Sequence, residues 1–176
     1  MDLNNKLKGI PKVNFFNLDN RTDRRTWMVN QFKKYGIEYN RVSGTKFLAR
    51  KKEEWMHLIV DIEDYKLLWP IAANAVSHLD FLKSWYANTK EPYVFLMEDD
   101  YDLGLIPYWH FDWQYMMDHI PYDWDCIHLG FENPDGMSFH LHPIEAAHDF
   151  GPVILKREYV EKLLDLHCIG DKYKLV

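Results

Sequence analysis

Cysteine is scarce: Cys126 and Cys168 are the two in a chain of 176 residues. Two thiols so far apart make neither a disulfide framework nor a metal-ligand spacing, and they fit a reducing compartment. Cations are the minority charge, with 21 Lys and Arg against 27 Asp and Glu and a formal net charge of -6. That balance argues against a non-specific DNA or RNA binder, which needs a surplus of Lys and Arg. No apolar run reaches the roughly 18–20 residues of a membrane-spanning helix. The opening Met1-Asp2-Leu3-Asn4-Asn5-Lys6 has no apolar core of the secretory kind. A cytoplasmic protein with neither nucleic acid nor a membrane span is expected. Glycine-rich phosphate loops are missing as well, and so is a GxSxG nucleophile elbow. Aromatics, by contrast, are abundant at 16%, with 7 Trp and 11 Tyr. Part of that builds core, and a surplus of Trp and Tyr also suits a cleft for planar bases or sugar rings.

A chain of this length suits one domain and hides about 70% of its unfolded surface without staples. Val13-Asn14-Phe15-Phe16-Asn17-Leu18 is a short apolar run between polar turn residues and reads as a buried strand. Asn20 follows as a helix N-cap with Asp23 as its acidic partner. Met28, Phe32 and Tyr35 line one helical face. Gly36 ends that helix as a left-handed cap, with Ile37 as the apolar residue beyond. Tyr39 to Ser43 reads as a second strand, completing a βαβ unit and implying a parallel sheet. Arg50 to Trp69 reads equally as a helix, on Trp55, Leu58, Ile59 and Ile62, or as a strand on Leu58-Ile59-Val60, closed by Pro70. Ile71 to Asn88 is a helix with Ala75, Leu79, Leu82 and Tyr86 on one stripe. Tyr93 to Met97 is an uninterrupted apolar strand of the central type. A short helix over Asp112–His119 and a strand over Trp124–Leu129, stopped by Gly130, come next. A strand over Phe150–Leu155 leads to a final helix over Arg157–His167, with Tyr159, Val160, Leu163 and Leu166 inward. The prediction is a single α/β domain over residues 1–176, its mostly parallel sheet flanked by helices.

Three features carry chemistry. Glu98-Asp99-Asp100-Tyr101-Asp102 packs four carboxylates directly after the most apolar strand. Ligands bind at the carboxyl ends of strands in open parallel sheets, and crowded carboxylates repel one another unless a cation compensates. Oxygen-rich sites suit hard cations such as Mg²⁺ or Mn²⁺; the bland reading is a solvated acidic turn. Asn17-Leu18-Asp19-Asn20-Arg21-Thr22-Asp23-Arg24-Arg25 hands the first strand to a helix, whose free N–H groups and arginines suit a phosphate. There the bland reading is surface arginines paired with Asp19 and Asp23. Ser43 and Gly44, at the neighbouring strand end, would flank the same pocket. The third feature is histidine. His78, beside Ser77 in the long helix, reads first as a half-buried histidine bonded to a carbonyl. His140, His142 and His148 surround Glu145, but their spacing departs from the cupin metal motif, and the chain lacks that barrel's many short strands.

Together these stretches resemble glycosyltransferase family 25, the lipooligosaccharide and procollagen galactosyltransferase type. The resemblance rests on Phe15-Phe16-Asn17-Leu18 with Arg21, Asp23, Arg24 and Arg25, and on Ser77-His78-Leu79. It rests also on Phe95-Leu96-Met97-Glu98-Asp99-Asp100 and on Trp124-Asp125 with Ile127, Leu129 and Gly130. The sequence departs from the family at Ala75-Val76, where a Gly-Cys pair usually precedes Ser-His. The resemblance implies a GT-A-like fold with a nucleotide-binding part over about residues 10–102 and a short acceptor-side part over about 103–176. It implies inverting transfer of a hexose, galactose foremost, from a UDP-sugar or similar nucleotide-sugar donor to a glycan or glycolipid hydroxyl. A divalent metal, Mn²⁺ or Mg²⁺, would be held by Glu98 and Asp100, with His148 as a late ligand. Asn17, Leu18, Arg21, Arg25, Ser43, Gly44, Ser77, His78 and Asp99 would bind substrate. The base for the acceptor hydroxyl falls to Asp149, which precedes Gly151, or to Glu132 or Asp135. Two other readings stay open: a non-catalytic relative that binds a sugar nucleotide or a protein partner, and an unrelated metal enzyme using the late histidines.

Overall fold

Phe15 and Phe16 are both buried although they point to opposite sides of one strand, so the sheet they belong to is covered on both faces. The computed structural model describes residues 6–48, 50–60, 69–130 and 151–175. Five strands, β1 (Val13–Asn17), β2 (Tyr39–Ser43), β3 (Tyr93–Glu98), β4 (Cys126–His128) and β5 (Val153–Lys156), form one sheet in the order β2-β1-β3-β5-β4. Against one face pack helices α1 (Thr22–Tyr35) and α4 (Trp113–His119). Against the other pack α3 (Trp69–Asn88) and α5 (Arg157–His167). A four-residue helix, α2 (Thr45–Leu48), precedes α3, and a small hairpin of β6 (Cys168–Ile169) and β7 (Lys172–Tyr173) follows α5. The chain is therefore one small α/β domain with helices on both faces of its sheet.

Strand alternation builds the two cores. Val13 and Phe15 with Phe95 and Met97 meet Met28, Phe32 and Tyr35 of α1. Phe16, Val94 and Leu96 meet Leu82 and Trp85 of α3. The expected face of α1 is the buried one, and Gly36 ends the helix at φ 66° while the Ile37 N–H donates to the Phe32 carbonyl at 2.9 Å. A third cluster joins Phe47, Trp55 and Ile59 to Ala72, Ala73, Val76 and Leu79 of α3 and to Tyr173. No helix among the described residues is long and apolar enough to cross a membrane.

Several expectations change. The sheet is mixed: β1 pairs in parallel with β2 and β3, whereas β5 runs antiparallel to both β3 and β4. An apolar strand carries no mark of its direction, and an antiparallel neighbour needs no helical crossover. The N-cap of α1 is Arg21, with no side-chain cap, and not Asn20. The Arg21 N–H closes a turn onto the Leu18 carbonyl at 3.0 Å, which delays the helix by one residue. Pro70 starts α3 instead of ending the segment before it, since the first helical turn has no use for the N–H that proline lacks. The described part of the ambiguous stretch forms two short 3₁₀ turns, Lys52–Glu54 and Met56–Leu58, and one parallel bridge from Ile59 to Tyr173. The inward stripe of α3 is centred on Ala72, Val76, Leu79, Leu82 and Trp85, leaving Ala75 and Tyr86 half-buried. In α5, Val160 is buried but Leu166 is exposed.

Gly151 shows why a glycine follows the segment before β5. A Cβ there would sit 2.5 Å from the Gly130 carbonyl oxygen and 3.1 Å from the Tyr101 hydroxyl. The close approach is thus to the chain's own backbone beside β4. Gly151→Ala is expected to lower stability by about 1–3 kcal/mol through this clash, and urea unfolding of the variant measures it. An unchanged midpoint would mean that the two chain segments can separate at no cost.

Candidate functional site

The parallel strands place their carboxyl ends on one edge, where Asn17 pairs in register with Ser43 and Phe16 with Glu98. Asn17 is 2% exposed. Its Nδ2 donates to Asp99 Oδ2 at 2.6 Å and to the Arg21 carbonyl at 3.0 Å. Its Oδ1 accepts from Arg41 Nε at 2.9 Å. Arg41 NH2 also donates to the Asn17 carbonyl at 3.1 Å and pairs with Asp19. The Ser43 hydroxyl donates to the Asp19 carboxylate at 3.0 Å, and the Gly44 N–H donates to the Asn17 carbonyl at 3.1 Å. Gly44 is buried beneath Leu18, whose Cδ2 lies 3.4 Å from where a Cβ would be.

Strand alternation divides the acidic run. Glu98 falls on the α3 side, where Asn74 Nδ2 donates to its Oε1 at 2.7 Å. Asp99, one residue on, falls on the α1 side with Asn17. Arg24 NH1 lies 3.0 Å from Asp99 Oδ1 and 3.0 Å from Asp100 Oδ2, so one nitrogen joins two carboxylates. Asp99 is buried and Asp100 exposed. The Asp99 hydrogen bond and the two carboxylates together hold the Arg24 guanidinium pKa above its ordinary value. Asp102 takes a separate role, accepting from the Gly104 N–H at 2.8 Å to form a local turn.

Arg21, expected on a phosphate, grips Asp23 with two hydrogen bonds of 3.0 and 2.8 Å. That bond, followed by the Arg24 backbone N–H, holds the Asp23 carboxyl far below the usual range. Asp23 thereby supplies the negative charge that the first turn of α1 favours. The Arg25 side chain makes no hydrogen bond or ion pair among the described residues. Ser77 donates to the Ala73 carbonyl at 2.7 Å, and His78 is buried, its Nδ1–H donating to the Asn74 carbonyl at 3.0 Å. The His78 ring lies against Phe16 with centroids 4.0 Å apart. Burial pushes its pKa down to about 4.

The structure therefore brings together Asn17, Leu18, Ser43, Gly44, Asp99 and Asp100 at one edge, with Glu98 and His78 on the adjoining α3 face. Glu132, Asp135, His148 and Asp149, with the late histidine cluster, lie outside the described residues. Among the described residues, no three His, Cys, Asp or Glu side chains converge to hold a metal ion. Arg41 and Asn74 are partners that sequence reasoning had not assigned; Asp19, expected to pair with an arginine of its own stretch, pairs with Arg41 instead, and Arg24 pairs with Asp99 and Asp100. Arg41 did carry a signal: it is a cation inside a strand, two residues before Ser43 and so on the same face. A shallow cleft of about 430 Å³ between α2, α3 and the β6–β7 hairpin, lined by Lys46, Asp80, Lys83 and Tyr173 among others, contains none of these residues. The chain matches no protein-family model, and no curated protein is similar enough to match it.

Two measurements check this geometry. Asn17→Asp would set a second carboxylate against buried Asp99. It is expected to cost about 3 kcal/mol at neutral pH. The pair would share a proton in the folded state, a raised acid pKa, so the loss shrinks as pH falls; a loss independent of pH would contradict the contact. For His78, the unfolded chain takes up a proton near pH 6.5 and the folded chain only near 4. The unfolded state thus binds the extra proton between those values, and stability falls by roughly 3 kcal/mol as pH drops through that window. His78→Phe should remove this component, read as the parent-minus-variant difference in urea titrations at pH 7.5 and 4.5. A pH-independent difference would place His78 in contact with solvent.

Proposed function

We propose that this chain is a metal-dependent, inverting glycosyltransferase that moves a hexose, galactose foremost, from a nucleoside-diphosphate sugar to a hydroxyl of a glycan or glycolipid. The observation that carries the reading is the convergence of three separate sequence stretches on one sheet edge. The end of β1 contributes Asn17 and the start of α1, the end of β2 contributes Ser43 and Gly44, and the end of β3 contributes Asp99 and Asp100. Two of them, the β1–α1 stretch and the end of β3, are among those on which the resemblance to glycosyltransferase family 25 rests, and they are far apart in the chain. The GT-A-like description of the fold belongs to the same proposal.

In this reading the β1–β2 end receives the nucleoside, with Leu18 and Gly44 as its floor. The Asp99–Asp100 pair lies on the diphosphate side. Two carboxylates sharing one cationic nitrogen form a hard oxygen donor set, which fits Mn²⁺ or Mg²⁺. Such a cation supplies neutralisation of the negative charge that grows on the departing diphosphate. Asp99 is aimed by the Asn17 amide, and Arg41 keeps that amide from flipping. Arg24 adds positive potential for phosphate oxygens. The acceptor proton goes to a carboxylate, with Asp149, Glu132 and Asp135 as the residues to test.

A thermal-shift screen of UDP-, GDP- and CMP-sugars with and without Mn²⁺ tests the proposal. Stabilisation by a UDP-sugar that requires the metal is the expected result. Stabilisation without metal would favour a non-catalytic sugar-nucleotide-binding relative, and no response to any donor would remove the reading. Asp100→Asn should keep the fold and lose the metal-dependent shift, because an exposed isosteric swap removes a charge and little packing.

A further inference from the structure

Arg24 is an unusual partner for two carboxylates. Strong arginine–carboxylate pairs use two parallel N–H bonds to one carboxylate. Here a single nitrogen, NH1, reaches Asp99 Oδ1 and Asp100 Oδ2 at 3.0 Å each, the way a compact cation would. The two sides of this contact differ in freedom. The Asp99 side chain is 10% exposed and is pinned from behind by Asn17 Nδ2 at 2.6 Å. The Arg24 side chain is 37% exposed, so its guanidinium can turn into water without being stranded in the interior. It also sits in the first turn of α1, where a cation opposes the helix dipole. Asp99 is fixed, whereas Arg24 and the 48% exposed Asp100 are not.

We propose that Arg24 is a displaceable counter-cation: its guanidinium neutralises the Asp99–Asp100 pair in the metal-free protein and yields the place to the divalent cation. This inference rests on the reading of that pair as the donor's metal site. The guanidinium and the metal then compete for the same oxygens. Apparent metal affinity is lowered by the fraction of molecules in which Arg24 is in place. The released guanidinium is free to turn toward an incoming diphosphate, so metal entry and anion recognition become linked steps.

The experiment is a Mn²⁺ titration of the whole chain without nucleotide, followed by electron paramagnetic resonance of free Mn²⁺. It uses the parent, Arg24→Gln and Arg25→Gln. The last variant removes an equal charge from the same helical turn without touching the pair. One part-buried and one exposed ion-pair contact correspond to roughly a 2–10-fold change in affinity. Arg24→Gln is therefore expected to bind Mn²⁺ about 3–10-fold more tightly, and Arg25→Gln less than about 2-fold more tightly, as a distant screened charge. Equal gains in both variants, or weaker binding by Arg24→Gln, would overturn displacement while leaving the metal site standing. No Mn²⁺ binding by parent or variants would overturn the metal reading and this inference with it. A second measurement needs no substitution. In a Mg²⁺ titration of the parent, the Arg24 Nε–H resonance should move to the position of a solvated arginine with the same midpoint as metal binding. An Arg24 resonance unmoved at saturating Mg²⁺ would overturn the proposal.

Discussion

The carboxyl edge of this sheet hangs on one amide. Asn17 ends β1, is 2% exposed, and holds Arg41 of β2 with its oxygen and Asp99 beyond β3 with its nitrogen. An amide offers a donor and an acceptor on one carbon, which is what a position between a cation and an anion requires. A carboxylate there would repel Asp99, and an apolar side chain would take one hydrogen bond from each of two charged groups. Its backbone works as well: the Asn17 carbonyl accepts from Gly44 and from Arg41. The ends of β1 and β2 are thereby locked together where the chain turns into α1 and α2.

Charge around this edge is nearly balanced within a chain that is acidic overall. The paired groups are Arg21, Arg24 and Arg41 on one side and Asp19, Asp23, Asp99 and Asp100 on the other. An anionic ligand entering here finds no surplus of positive charge among these pairs, so the proposed divalent cation would have to supply it. The pairs also differ in kind. Arg21 and Asp23 are both exposed and contribute little to stability, whereas Asp99 is a nearly buried carboxylate held by hydrogen bonds from Asn17 and Arg24. The edge therefore combines one rigid acid with several mobile charges.

Much of the framework is legible along the chain. Met28, Phe32 and Tyr35 repeat with the helical period, Gly36 stops that helix, and Tyr93 to Met97 is apolar enough to demand cover on both faces. Each of these signals is local: a side chain's own spacing, or a backbone angle only glycine takes freely. The partial failures have a common source. Leu166 matches the helical stripe of α5 and still faces solvent, because how wide a stripe is covered depends on what packs against it. Pro70 looks like a stop and serves as a start, since proline ends one segment and begins the next with equal ease. The N-cap moved from Asn20 to Arg21 because a turn onto Leu18, not the cap side chain, sets where α1 begins.

What the sequence by itself determined is the five strands of the sheet, the four helices that cover it, and the crowding of carboxylates after the central strand. These follow from periodicity and from residue types adjacent in the chain. The tertiary structure decided how those residues were shared out. Strand alternation sent Glu98 to Asn74 on α3 and Asp99 to Asn17 and Arg24 on the α1 side, although they are neighbours in sequence. It reversed β5 between β3 and β4, and it set Gly151 against the Gly130 carbonyl, so that this glycine serves the packing of the chain itself. Direction, register and the partner of each charge arise from contacts between residues as many as 103 positions apart. No local pattern encodes such contacts, because each depends on where every other element has come to rest.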